Sequence, residues 1–189
     1  MFWETILDQR MLIIYSLIIQ NGMFVGYVNG SLYRLVSELY EKEGKKLVNR
    51  NISLTMMSYG IAGVVFSNVM KNLDKKYNGL ILKTSSFAFT GVMVLVFIYG
   101  DTIDSMWKII LIALVLGLVD VAHSLFISVY LSTSFSSRLE AFTLWKQIAN
   151  ILSSAFIFAQ VLSKKHFDTF GYVVSGLNIM LTIVFVGTF

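Results

Sequence analysis

Apolar residues along the chain fall into blocks of about 20, the length a helix needs to cross a hydrocarbon core roughly 30 Å thick. The blocks run over Met11–Leu35, Ile52–Met70, Gly79–Tyr99, Met106–Tyr130, Ala141–Leu162 and Phe170–Phe189. Polar stretches separate them: Ser37–Asn51 is rich in Glu and Lys, Lys71–Asn78 is basic, Gly100–Ser105 is acidic, and Arg138–Glu140 and Lys164–Asp168 mark the remaining joints. None of these is long enough to fold alone. In lipid only helices and closed barrels satisfy every backbone N–H and C=O. A barrel would alternate in polarity over segments of about 10 residues, and no such alternation is present. The pattern predicts an all-α membrane protein of six transmembrane helices, forming a single domain over residues 1–189.

Composition strengthens this expectation. Apolar residues make up 56% of the chain and charged residues 14%, against roughly 45–50% and 25% in soluble domains. A soluble chain of this size would need more charge to cover its surface. The net charge of +4 sits in the joints, which suits lipid head groups or water rather than nucleic acid. Glu4 and Asp8 stand where a secretory leader would carry its basic region, and the first apolar run is too long for one. There is no Cys, which removes disulfides and thiol-based metal or nucleophile sites. His123 and His166 alone cannot make a multi-histidine metal centre. No cofactor, metal or catalytic set is expected, and the protein reads as a multi-pass integral protein of the plasma membrane or an endomembrane.

Polar groups inside the spans carry the functional information, because an ionised side chain at mid-bilayer costs about 2.5–3.5 kcal/mol even on insertion scales. The third and sixth spans hold little beyond Ser, Thr and Asn178, so they are expected to face lipid. In the fourth, Gly117, Asp120, Ser124 and Ser128 recur at spacings of three and four, on one helix face, with His123 one turn from Asp120. In the fifth, Glu140, Thr143, Gln147, Asn150 and Ser154 form a polar stripe with Lys146 on its shoulder. In the first, Gly22, Gly26 and Gly30 make a ladder of small residues that lets another backbone come close. Leucine at Gly26 is expected to disturb that packing, and leucine at Phe24 to be tolerated. Asn21, Asn29 and Asn150 read as interhelical hydrogen-bond partners. Asp120 needs a partner or water: it is either a cavity or coupling group, or half of a structural pair with Lys146 or His123. Polar, glycine-containing first members and lipid-facing last members of two successive helix triplets are the pattern of two inverted three-helix repeats.

Gly117-Leu-Val-Asp120, Ala122-His123-Ser124, Glu140-Ala141-Phe142 and Trp145-Lys146-Gln147 resemble the corresponding helices of the uncoordinated-93 family, the ion-channel regulatory branch of the major facilitator superfamily. Gly60–Lys76, with Gly63, Asn68, Asp74 and Lys75-Lys76, resembles a degraded copy of the superfamily's basic loop. The resemblance would place the whole chain as helices seven to twelve, one half of a major facilitator fold. It implies cytoplasmic termini, whereas counting Lys and Arg on the two sides tilts slightly the other way. Asn51-Ile52-Ser53 is a glycosylation sequon in the joint that would face the exterior or lumen. A full member has twelve helices, so the chain is expected to be either a fragment or a half-sized protein that pairs with another copy or partner.

Three functional classes follow. A regulator or trafficking partner of an ion channel or receptor would act through helix faces on another membrane protein or a second six-helix half. A secondary transporter of a small solute would instead couple to a cation or proton at Asp120, in a cavity lined by His123, Ser124, Lys146, Gln147 and Asn150. An intramembrane enzyme would need a nucleophile–base pair or a metal cluster, and Asp120 with His123 is too little for one. The plentiful packing ladders and the single strong carboxylate favour the regulator.

Overall fold

The computed structural model describes residues 2–71, 78–99, 103–136, 138–162 and 167–188. They are helical almost throughout, and no strand occurs among them. The basic joint Lys71–Asn78, the first half of Gly100–Ser105, His166 and the end of the chain at Phe189 lie wholly or largely outside the described residues.

A short helix α1 (Phe2–Leu7) leads to Asp8. There the backbone is extended and the carboxylate accepts from the Arg10 amide at 2.8 Å, capping α2 (Gln9–Tyr27) as an N-terminal Asp should. This helix does not stop at Tyr27. A π turn over Val28–Leu32 carries it into α3 (Tyr33–Tyr40) and a 3-10 turn at Glu41–Glu43. The reversal falls at Gly44, with φ 96° and ψ 154°, a region of backbone space open essentially to glycine alone. Then follow α4 (Lys45–Lys71), α5 (Asn78–Tyr99), α6 (Met106–Ser134), α7 (Arg138–Leu162) and α8 (Phe167–Thr188).

These long helices cover the six apolar blocks but overrun them. The second block, expected to begin at Ile52, lies in a helix that already begins at Lys45, and the first continues past Leu35 to Tyr40. The extra turns carry Glu38, Lys45, Lys46 and Arg50, so hydropathy ends a block before hydrogen bonding ends the helix. The sequon is affected directly: Asn51 is helical and buried, not part of an open loop. Among the described residues, the stretches Lys45–Met70 and Met106–Ser134 are long and apolar enough to cross a membrane.

The closest-knit helix pairs are α4 with α6 and α2 with α7; α5 with α6, α2 with α8, α5 with α8 and α2 with α6 complete the bundle. Two apolar cores result. One joins Met11, Ile14, Leu17 and Ile18 to Ile127, Leu131, Leu144 and Trp145. The other gathers Phe24, Val28 and Leu32 with Phe89, Ile109, Leu116 and Phe156. Phe24 is fully buried and meets Phe89 edge-on, centroids 4.7 Å apart. Leucine there would leave a void in the second core, so the expected tolerance at this position is corrected.

In sequence, a polar layer separates the two cores. Gln20 Nε2 donates to Asn178 Oδ1 at 3.0 Å and to Thr182 Oγ1 at 2.9 Å. Asn178 Nδ2 donates to Thr90 Oγ1 at 2.9 Å, and the Thr90 and Thr182 hydroxyls are 3.0 Å apart. Ser85, Ser86, Thr90, Asn178 and Thr182 of α5 and α8 thus turn inward, and Thr84 stays exposed. Outward they present Phe87, Leu95, Leu177, Met180 and Ile183.

Candidate functional site

Gly117 positions the site. A Cβ at this residue would lie 2.3 Å from the Tyr59 carbonyl oxygen and 3.0 Å from Ala62 Cβ, so only glycine lets α6 come this close to α4. One turn along α6, Asp120 comes opposite the Tyr59 side chain, and the Tyr59 hydroxyl donates to Asp120 Oδ2 at 2.5 Å. This is the short length expected of an O–H···O⁻ bond. Beside this contact Gly60 leaves a groove of about 440 Å³, lined also by Gly63, Ser67, Asn68, Gly117 and Asp120, while at Gly63 the helices stay close, a Cβ there lying 3.2 Å from Val121 Cγ2. A Cβ on Gly60 would meet nothing within 4 Å.

The two structural pairs weighed for Asp120 are not the ones formed. His123 is fully buried and its Nε2 lies 3.1 Å from Ser86 Oγ on α5. It points away from the carboxylate although it follows one turn later. Ser86 and His123 have the composition of a nucleophile and its base, and both are fully buried. Lys146 is exposed on α7 with Nζ 3.9 Å from the centre of the Trp145 ring, a cation–π contact. No ion pair joins it to Asp120 among the described residues.

The remaining candidates divide between groove, surface and seam. Ser124 is half-buried on α6, one turn beyond Asp120, and its carbonyl accepts from Ser128 Oγ at 2.6 Å. Gln147 and Asn150 are exposed on α7 beside Lys146. Of the three asparagines read as interhelical partners, Asn21 accepts from Trp145 Nε1 at 3.4 Å. Asn29 and Asn150 instead face outward. The glycine ladder lies against α7: a Cβ on Gly22 would be 2.9 Å from Leu152 Cβ, one on Gly26 2.9 Å from Phe156 Cβ, and one on Gly30 would overlap the Gln160 amide. Gln160 Nε2 also donates to Ser31 Oγ at 3.1 Å.

Tyr59 and Ser86 are the site residues that sequence reasoning missed. Gly63, four residues after Tyr59, was a usable signal, since a small residue marks where α4 can be approached. Which side chain then meets Asp120 depends on how α4 and α6 cross. No family model, curated protein or solved structure matches the chain.

Proposed function

We propose that the protein is a multi-pass membrane protein whose long helices form one half of a major facilitator-like assembly, and that it acts as a regulator or trafficking partner by packing against another membrane protein or a second six-helix half. Exchanging α2–α3 with α6, α4 with α7 and α5 with α8 supports the inverted repeat. The pair α4·α6 becomes α7·α2, α5·α6 becomes α8·α2, and α5·α8 and α2·α6 map onto themselves. The polar layer follows the same exchange, with Gln20 of α2 bonded to α8 and His123 of α6 bonded to α5.

The observation that carries the partner reading is the outer face of α7. Lys146, Gln147, Asn150 and Ser154 are exposed there within a helix whose other exposed residues include Ile151 and Phe158. Facing hydrocarbon, these polar groups would be costly; facing protein or a water-filled cleft, they are satisfied. The outward residues of α5 and α8 carry the contrasting apolar surface that lipid covers.

The absence of native cysteine makes a direct test simple. Single-cysteine variants Asn150→Cys and Phe87→Cys are treated in membranes with a charged, water-soluble maleimide. Labelling is expected at Asn150→Cys and not at Phe87→Cys, and a co-expressed partner should reduce it. Equal labelling of the two would overturn the assignment of faces. A second reading, a transporter, draws support from Asp120, a carboxylate opening on a groove without a fixed cation within ion-pair distance among the described residues.

A further inference from the structure

We propose that the α4–α6 groove is a binding site for a small organic ammonium ion with an apolar body, with Asp120 as its counter-charge and Tyr59 fixing that carboxylate. This deepens the second reading by naming a ligand class, but it concerns binding and stands whether or not the ligand is carried across a membrane.

Asp120 accepts from the Tyr59 hydroxyl at 2.5 Å, with the Ser124 hydroxyl beside it as a weaker donor. A neutral hydroxyl orients a carboxylate but does not neutralise it. Among the described residues no Lys, Arg or His lies within ion-pair distance, and the nearest-placed histidine is engaged by Ser86. Lys146 acts on this carboxylate only from beyond that distance, and a carboxylate at this depth in a helix bundle that no cation contacts directly is the arrangement that recruits one from outside. The groove is open to receive one. Its volume of about 440 Å³ lies in the ordinary range for small-molecule sites, roughly 300–1,000 Å³. Gly60, whose Cβ would meet nothing within 4 Å, removes the side chain that would otherwise fill it.

The walls decide the ligand's character. Val64 and Val121 face the groove beside the glycines, while Ser67, Asn68 and Asp120 supply its polar groups. A bare metal ion would find too few oxygens, since Ca²⁺ takes 6–8 and Mg²⁺ needs an octahedral set. A single ammonium group attached to an apolar body would satisfy Asp120 and cover the valines, and the Tyr59 ring offers a face for cation–π contact.

The test uses the full chain in nanodiscs of zwitterionic lipid, with empty nanodiscs as blank, titrated calorimetrically with phenethylammonium and with its uncharged analogue 2-phenylethanol. Saturable binding of the amine and none of the alcohol is expected. Asp120→Asn keeps an acceptor for Tyr59 and should weaken binding about ten- to a hundredfold, the loss typical of a charge-assisted bond. Gly60→Leu, whose side chain enters open space, should abolish binding with the melting temperature unchanged. It also keeps the test decisive if the Asp120 variant folds poorly. Absence of amine binding to the native chain, equal binding of the alcohol, or unaltered binding in a folded Gly60→Leu variant would each overturn the site. Amine binding without any uptake in vesicles would leave the site standing and remove the transport reading.

Discussion

The α2–α7 and α4–α6 seams exchange with each other in the packing of the bundle, yet they are built differently. Along α2, three glycines at intervals of four keep α7 close over two turns, and the far end is closed by Gln160 bonding Ser31. Along the α4–α6 seam, Gly117 makes a tighter contact against the Tyr59 carbonyl and Gly63 a looser one against Val121, while Gly60 stands clear of any neighbour and leaves a groove. A repeated close approach seals a seam. The tight approach at Gly117 acts as a pivot beside which a groove opens at Gly60, and the carboxylate sits at that opening.

The sharpest way to break this contrast is Gly117→Leu. The new side chain meets the Tyr59 carbonyl, which cannot swing aside, and the variant should lose about 3 kcal/mol of stability in detergent unfolding, the upper end for overpacking. Gly26→Leu meets Ser153 backbone and the Phe156 side chain, which can yield partly, so about 2 kcal/mol is expected by the same measurement. If the two losses came out in the reverse order, the pivot would lie on α2. Tyr59→Phe removes a donor to a carboxylate and should cost about 1.5 kcal/mol, read as a lower unfolding midpoint. Ser31→Ala breaks one neutral bond of the sealed seam, for which about 0.6 kcal/mol is the average in membrane helices.

The smallest effect lies outside both seams, where Asp8 caps α2. Its side-chain bond to Arg10, and then its bond to the Arg10 amide, hold the carboxyl below its ordinary value of 3.8. A depressed folded-state value favours folding above the ordinary value, and that contribution disappears as pH falls through the depressed one. Thermal melts of Asp8→Asn and of the native chain should therefore differ slightly at pH 6 and converge in strong acid. A difference that widened on acidification would contradict the cap.

Much of this architecture could be read from the chain, and the reasons for what could not are specific. The helices were legible because their apolar blocks are long and separated by charged joints. Their true ends were not, since Lys45–Arg50 and Ser37–Tyr40 are helical but polar, and hydropathy measures solvent preference rather than hydrogen bonding. The spacing of Gly22, Gly26 and Gly30 marked a face open to close approach, but not which helix would meet it. Asp120 stood out by its cost in an apolar span. Its partner did not, because i to i+3 neighbours such as His123 are visible in sequence while Tyr59, 61 positions away, is joined to it only through the crossing of α4 and α6. The outward direction of Asn150 was not legible for a related reason: a polar residue in a span looks alike in sequence whichever way it faces.

The π turn at Val28–Leu32 acts as a correction of phase. A spacing of four overruns the 3.6-residue α turn, so a ladder of glycines drifts around its helix with each step. A turn closed by i to i+5 bonds is wider, and the same spacing falls short of it. Placing the wide turn across Gly30 offsets the drift gathered from Gly22 to Gly26 and keeps the last rung facing Gln160. Removing one residue between Val28 and Leu32 would restore a regular helix and rotate α3 by about 100° relative to α2. The hairpin at Gly44 would then deliver α4 on a different bearing, and with it the wall of the groove, so the geometry around Asp120 is set in part by one surplus residue on a helix that does not line it.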